Sequence, residues 1–300
     1  MAVLSALWGA SYLFIKVALD EGLEPVFIVF ARIVLGALVL VPIAHGQGAF
    51  DALRGRWAAV SFMGLVHVAV PFLLITYGES HIASSLTGIL VAAAPIFTVL
   101  IAMRFDDDER PRGVAAAGIV VGILGVGLLF GVDLSGDAAA IAGGLMVVLA
   151  TVGYAIGSVW LKHRLAGLPA VGVAAGTLIV SALLLALPAL FALPSRMPSL
   201  DASASLLALG AGGTGIAFLI FYTLIADVGP SRASLVAYIA PGFAVLYGVL
   251  LLAEPLTAGS VLGLALILAG SGLAAEGRLP WQAKVTPVPP LEPPAAREAA

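Results

Sequence analysis

The stretch LWGASYLFIK, residues 7–16, places a tryptophan, a glycine, a serine and a tyrosine on an apolar run and ends it with a lysine. It returns in altered form as VGYAIGSVWLK, residues 152–162, with the two lysines 146 positions apart. Both copies sit inside segments apolar enough to face lipid. The reading of the whole chain turns on why such a pattern occurs twice.

Composition gives the solvent. Hydrophobic residues make up 61% of the 300 residues and charged residues 10%, whereas water-soluble domains carry about 25% charged residues. The chain is therefore read as an integral membrane protein, in which the placement of charges matters more than their net value of −3. It has no cysteine, which excludes disulfides, thiolate metal sites and cysteine nucleophiles. The apolar start lacks the basic region of a signal peptide and is expected to be a span.

A helix needs about 20 apolar residues to cross a hydrocarbon core of ~30 Å. Ten such segments are expected at 2–20, 25–45, 57–78, 82–103, 113–131, 139–161, 169–192, 204–226, 232–252 and 257–275, separated by polar breaks such as DEGLEP, GESH, KHRLAGL and AEPL. The alternating ten-residue pattern of a β-barrel is missing, so the fold class is an all-α integral membrane protein. Residues 276–300 change character, with six prolines between Pro280 and Pro294, and are expected to form a disordered cytoplasmic tail.

Lysine and arginine set the orientation. With the amino terminus in the cytoplasm, Arg54, Arg56, Arg104, Arg110, Arg112, Lys162, Arg164, Arg232, Arg278, Lys284 and Arg297 face inside, and Arg196 alone faces outside. Both termini are then cytoplasmic. At the 146-residue offset, Lys16 falls on Lys162, Gly64 on Gly210, Pro95 on Pro241, Asp108 on Glu254 and Gly113 on Gly259. The chain is thus expected to be two repeats, 1–131 and 132–275. Five spans is an odd number, so the second repeat enters the bilayer inverted, a design that places a substrate site near the midplane and opens it to alternate sides.

At this point a resemblance can be named. LWGASYLFIK followed by FARIVLGALVLVP, and later GPSRASLVAYIAPGFAVLYGVLLLAEPLTAGSVLGLALILAGSGL, resemble the two halves of the drug/metabolite transporter superfamily, EamA type. The resemblance covers essentially residues 1–275. It implies a ten-helix exporter of amino acids or related small metabolites, YddG-type exporters being the nearest named relatives, in a bacterial inner membrane. No cofactor or nucleic-acid partner is expected. Cargo and oligomeric state stay open.

Candidate substrate contacts each have a structural alternative. Trp8 and Tyr12 share a helix face by their four-residue spacing, as do their repeat counterparts Tyr154 and Ser158; all four could line a cavity or simply pack. His67 stands near mid-span, where an imidazole is costly unless it is bonded or faces water. Tyr222 and Tyr238 could line the same cavity or anchor to the interface, while Tyr77 is read as an interfacial belt residue. Lys16 and Arg32 are possible charge anchors for a substrate carboxylate, or could snorkel outward toward Glu79 or Glu254. Pro95 and Pro241 lie within spans and are candidate hinges. The pairs Gly118/Gly122, Gly127/Gly131 and Gly259/Gly263 have the spacing for close helix contact.

The acidic run 106–109 is read as solvated loop charge rather than a metal site. No phosphate-binding GxxxxGK[ST] motif is present. All seventeen carboxylates fall at span ends, in loops or in the tail by this reading, so facilitated diffusion is expected, with His67 a hydrogen-bonding cavity residue. A proton-coupled antiporter, a channel and a membrane-embedded enzyme are the alternatives.

Overall fold

A computed structural model describes residues 1–105, 111–228 and 235–276. Among these residues the regular structure is entirely helical. Among the described residues nine helices are long and apolar enough to cross a membrane: α1 Ala2–Asp20, α2 Pro25–Gly46, α3 Trp57–Glu79, α4 Ser84–Ala102, α5 Val114–Val132, α6 Ala138–Arg164, α7 Ala170–Phe191, α8 Leu200–Phe221 and, following the shorter α9 Val236–Leu251, α10 Ala258–Ala275. At 1.5 Å per residue, a helix of ~20 residues matches a ~30 Å hydrocarbon layer. Helices suit that layer because every backbone polar group is bonded within the segment. Capping side chains mark some starts: Asp137 accepts the N–H of Ala139 at 2.8 Å ahead of α6, and Ser199 accepts that of Ala202 at 3.1 Å in α8.

The expected spans are recovered with two corrections, and the ninth lies partly outside the described residues. The eighth begins four residues early, at Leu200, and is helical to Val228. The ninth is described from Val236, and the first residues of its expected range, 232–234, lie outside the described residues, as does the acidic run 106–109. The fourth is broken: helix runs over Ser84–Val91 and resumes over Ala94–Ala102, where Pro95 supplies no N–H and clashes with the preceding turn. Pro241, by contrast, is buried within the unbroken α9.

Two spans also widen to π geometry, α3 over Gly64–Ala69 and α8 over Ala208–Ile216. Hydropathy does not distinguish such segments from α-helix, and they recur at functional sites. Gly64 and Gly210, matched at the 146-residue offset, each lie in one of them.

The packing is reciprocal across that offset. α1 lies against α9 while α6 lies against α4; α2 meets the π segment of α8 while α7 meets that of α3; α5 pairs with α10. Small residues permit the approaches. A Cβ on Gly210 would stand 2.5 Å from Leu35 Cβ and 2.9 Å from the Arg32 carbonyl oxygen, and one on Gly64 would stand 3.0 Å from the Thr177 carbonyl oxygen. On α5 and α10, Gly118, Gly122, Gly125, Gly263 and Gly270 form the seam; Gly127 and Gly131 face open space, so that expected pair takes no part.

Candidate substrate site

The reciprocal crossings bring α1, α2, α3, α6 and α8 together around one cation. Arg32 is only 8% exposed. Its guanidinium carbon lies 3.9 Å from the centroid of the Phe72 ring, and its Nε–H donates to Thr214 Oγ1 at 2.9 Å. The Thr214 hydroxyl in turn donates to the Leu209 carbonyl at 3.1 Å, five residues back, a reach that belongs to the π segment. A desolvated cation–π contact contributes about 2 kcal/mol and a charged hydrogen bond about 1.5–3 kcal/mol. Neither neutralises the charge, and no carboxylate among the described residues pairs with Arg32 within 4.0 Å.

Tyr12, Tyr154 and Glu79 are close enough to Arg32 to act on it electrostatically. Tyr12 and Tyr154 both pack on the apolar cluster of Ile15, Ile28, Ile75 and Leu209. Tyr154 also meets His67 edge-on, ring centroids 5.3 Å apart at 64°. α6 can lie this close to His67 because residue 157 is glycine; a Cβ there would stand 2.5 Å from His67 Cβ. His67 Nδ1 is buried without a hydrogen-bond partner among the described residues. Two tyrosines, an imidazole and a guanidinium without an acid partner among the described residues therefore share one region.

The other expected residues are placed elsewhere. Trp8 packs against Phe221, centroids 5.2 Å apart, and Phe218, 6.5 Å apart. Ser158 is exposed and donates to its own helix at the Tyr154 carbonyl, 2.8 Å. Tyr238 OH donates to the Ser271 carbonyl at 3.3 Å, tying α9 to α10. The side chain of Tyr222 lies outside the described residues. Lys16 pairs with Asp20 at 2.8 Å, one turn along α1, in place of the Glu79 or Glu254 partner that snorkelling suggested. Glu254 instead accepts the N–H groups of Ser84 at 2.6 Å and Ser85 at 2.8 Å.

Sequence reasoning missed Thr214 and Phe72, and named Glu79 only as a boundary partner for a snorkelling cation. Glu79 ends an apolar run next to a polar break, so it reads as a solvated boundary residue, yet it is 0% exposed. Away from this region, an apolar groove of about 400 Å³ between α2 and α7 is lined by Phe30, Val34, Pro42, Ile179 and Leu183 among others. With no polar lining it suits an acyl chain, not a charged cargo.

Comparison with known proteins agrees with this architecture. The chain is 28% identical over 272 residues to "Uncharacterized transporter YoaV" of Bacillus subtilis, covering 88% of this chain and 91% of that protein. It is 28% identical over 300 residues to "Uncharacterized inner membrane transporter YedA" of Escherichia coli K12, covering 95% and 92%. A shorter match, 27% identical over 156 residues and covering 52% and 50%, is to the "Probable amino-acid metabolite efflux pump" of Escherichia coli K12. A protein of known crystal structure superposes with a TM-score of 0.63 at 24% identity, covering 90% of this chain and 96% of that one, which supports the fold alone. The model of the EamA-like transporter family matches residues 1–131 and 141–275, so the chain belongs to that family and is a membrane transporter, not an enzyme.

Proposed function

We propose that this transporter exports amino acids or similar small carboxylate-bearing metabolites by alternating access. The observation that carries the reading is Arg32, a buried guanidinium with a hydroxyl and an aromatic face as partners but no acid within 4.0 Å among the described residues. A substrate carboxylate would supply the missing charge through the planar fork of the guanidinium. Tyr12, Tyr154 and His67 would bond the remaining polar groups. Trp8 and Tyr238 would line the route to the site, with Tyr222 and Ser158 as further candidates, and Lys16 would act as a secondary anchor.

Alternating access would follow from two inverted five-helix repeats, 1–131 and 132–275. The reciprocal packing, the two π segments at corresponding positions and the two separate family matches support this reading. The basic-residue bias supports a cytoplasmic location for both termini, and the Escherichia coli and Bacillus relatives support a bacterial inner membrane. The efflux pump similar to half of this chain favours amino-acid metabolites as cargo.

Facilitated diffusion rested on every carboxylate lying at a span end, in a loop or in the tail, where none was expected to be buried. The burial of Glu79 removes that support and favours the second reading, proton-coupled antiport. The cargo is tested by counterflow in liposomes across a panel of amino acids. Saturable uptake accelerated by the same amino acid inside and lost in Arg32→Ala is expected; flux that never saturates would point to a channel.

A further inference from the structure

Glu79 closes α3 as its last residue, and both of its carboxylate oxygens are buried with no hydrogen-bond partner among the described residues. A lone ionised carboxylate in such a place loses its hydration and gains nothing in return. A protonated carboxyl loses far less. Ionisable groups near enough to act on it come from several neighbouring elements. α1 brings Lys16, Asp20 and Tyr12, α2 brings Arg32, and the turn between α9 and α10 brings Glu254. α4 offers its first backbone N–H groups, but those of Ser84 and Ser85 are taken by Glu254. α6, packed along α3, carries its cations only in its final turn, Lys162–Arg164. That turn lies at the opposite end of α3, where Trp160 Nε1–H donates to Ala59 at 3.1 Å.

The cations nearby are also engaged. The Lys16 ammonium is held by Asp20 at 2.8 Å, and the Arg32 Nε–H by Thr214 at 2.9 Å. The Glu254 carboxylate sits at a helix N-terminus, where a negative charge is stabilised, and it repels a second charge on Glu79.

We propose that Glu79 is the proton-binding site of this carrier, protonated while Glu254 clamps α4 and deprotonated when that clamp opens and water or Lys16 reaches the carboxyl. The carboxyl O–H breaks, the proton passes to water, and the carboxylate left behind is balanced by Lys16 and Arg32. Because Arg32 is also the cation proposed to receive a substrate carboxylate, ionised Glu79 and an anionic substrate compete for it, which couples proton release to substrate movement. The coupling rests on the exporter reading; the proton site itself does not.

The test is built to separate the two. Dicyclohexylcarbodiimide, an apolar reagent that attacks protonated carboxyls, is applied to the full chain in liposomes between pH 6 and 9, and labelled peptides are identified by mass spectrometry. Modification of Glu79 that falls at least tenfold as pH rises, and that is absent in Glu79→Gln, is expected. In parallel, flux of an amino acid identified by counterflow is measured under an imposed pH gradient. The wild type should respond several-fold, Glu79→Asp should keep a response, and Glu79→Gln should be indifferent to the gradient. An unlabelled Glu79 in folded wild-type protein overturns the proton site, and an equal gradient response in wild type and Glu79→Gln overturns the coupling. Failure of counterflow with every amino acid, with labelling intact, removes the cargo reading and leaves the proton site standing.

Discussion

Glu254 grips the first turn of α4 through Ser84: one carboxylate oxygen accepts the Ser84 N–H at 2.6 Å and the other the Ser85 N–H at 2.8 Å. The two partners are 170 residues apart, so the bond ties the second half of the chain to the first beside Glu79. Charge-assisted bonds of this kind contribute about 1.5–3 kcal/mol each.

Loss of that grip should therefore loosen this end of the molecule. The chain has no cysteine, so Thr87→Cys, buried in α4, is a single reporter without background. Adding Glu254→Ala is expected to raise its rate of modification by a water-soluble maleimide at least tenfold. Glu254→Gln, which keeps an acceptor oxygen but no charge, should fall between. Equal rates in all three proteins would mean that the bond holds nothing shut.

Arg32 predicts a graded loss of affinity. Arg32→Lys keeps the charge but loses the planar stack on Phe72 and the geometry of the Thr214 bond, and substrate affinity should fall about tenfold, or ~1.4 kcal/mol. Arg32→Ala should lose 100-fold or more while the thermal midpoint changes little, since removing an unpaired buried charge also removes its desolvation cost. Isothermal titration beside a melting curve distinguishes these. A large fall in stability with affinity retained would make Arg32 a packing residue.

The sequence foretold the helices better than the site for a physical reason. Span length and hydropathy are summed over some twenty residues, so the bilayer constraint is written redundantly; Arg32 stands out because a cation inside such a run is rare. Burial of a single residue is written nowhere locally. Glu79 touches a polar break by sequence and is enclosed only because distant elements close over it. Thr214, in the run GAGGTG, looks like a small packing residue until the π segment turns its hydroxyl toward Arg32. Asp20 was legible as the partner of Lys16 by its four-residue spacing on one helix, and the more distant acids drew attention away from it.

Topology can be checked directly. A cytoplasm-active reporter fused after Ala300 should function, and an externally active one inserted near Ser135 should function there. Signals from one side only would remove the inverted arrangement.

The seam between α5 and α10 predicts a contrast in stability. A Cβ on Gly270 would stand 2.6 Å from the Gly118 carbonyl oxygen and 2.6 Å from Gly122 Cα, backbone atoms that cannot swing aside, so Gly270→Ala should cost about 1–3 kcal/mol. Gly127→Ala, with nothing within 4 Å, should be neutral or gain up to ~1 kcal/mol from helix propensity. Melting in a single detergent compares the two, and equal shifts would contradict the packing.

Motion at Pro95 is the last expectation, and the structure makes it asymmetric. With the helix broken before Pro95, the Ile96 N–H turns to the Ala93 carbonyl at 3.0 Å, which deprives the Ala92 carbonyl of its usual donor. The Ser271 hydroxyl of α10 fills that role at 3.1 Å, and the Ser271 carbonyl is itself bonded by Tyr238 OH at 3.3 Å. The break is thus satisfied from outside its own helix, as a lipid-embedded break must be, and one that can exchange its donor can bend. Pro241, by contrast, is buried in a continuous helix that shows no such break. Pro95→Ala should therefore slow turnover about tenfold with binding nearly unchanged, whereas Pro241→Ala should have the smaller effect. Ser271→Ala should cost about 1–3 kcal/mol by stranding the Ala92 carbonyl, and Pro95→Ala should relieve that cost by restoring the helical ladder. Single-turnover and steady-state flux on the three single variants, with melting curves on Pro95→Ala, Ser271→Ala and their pair, measure this. Unchanged turnover in Pro95→Ala, or additive losses in the pair, would make the break a fixed kink.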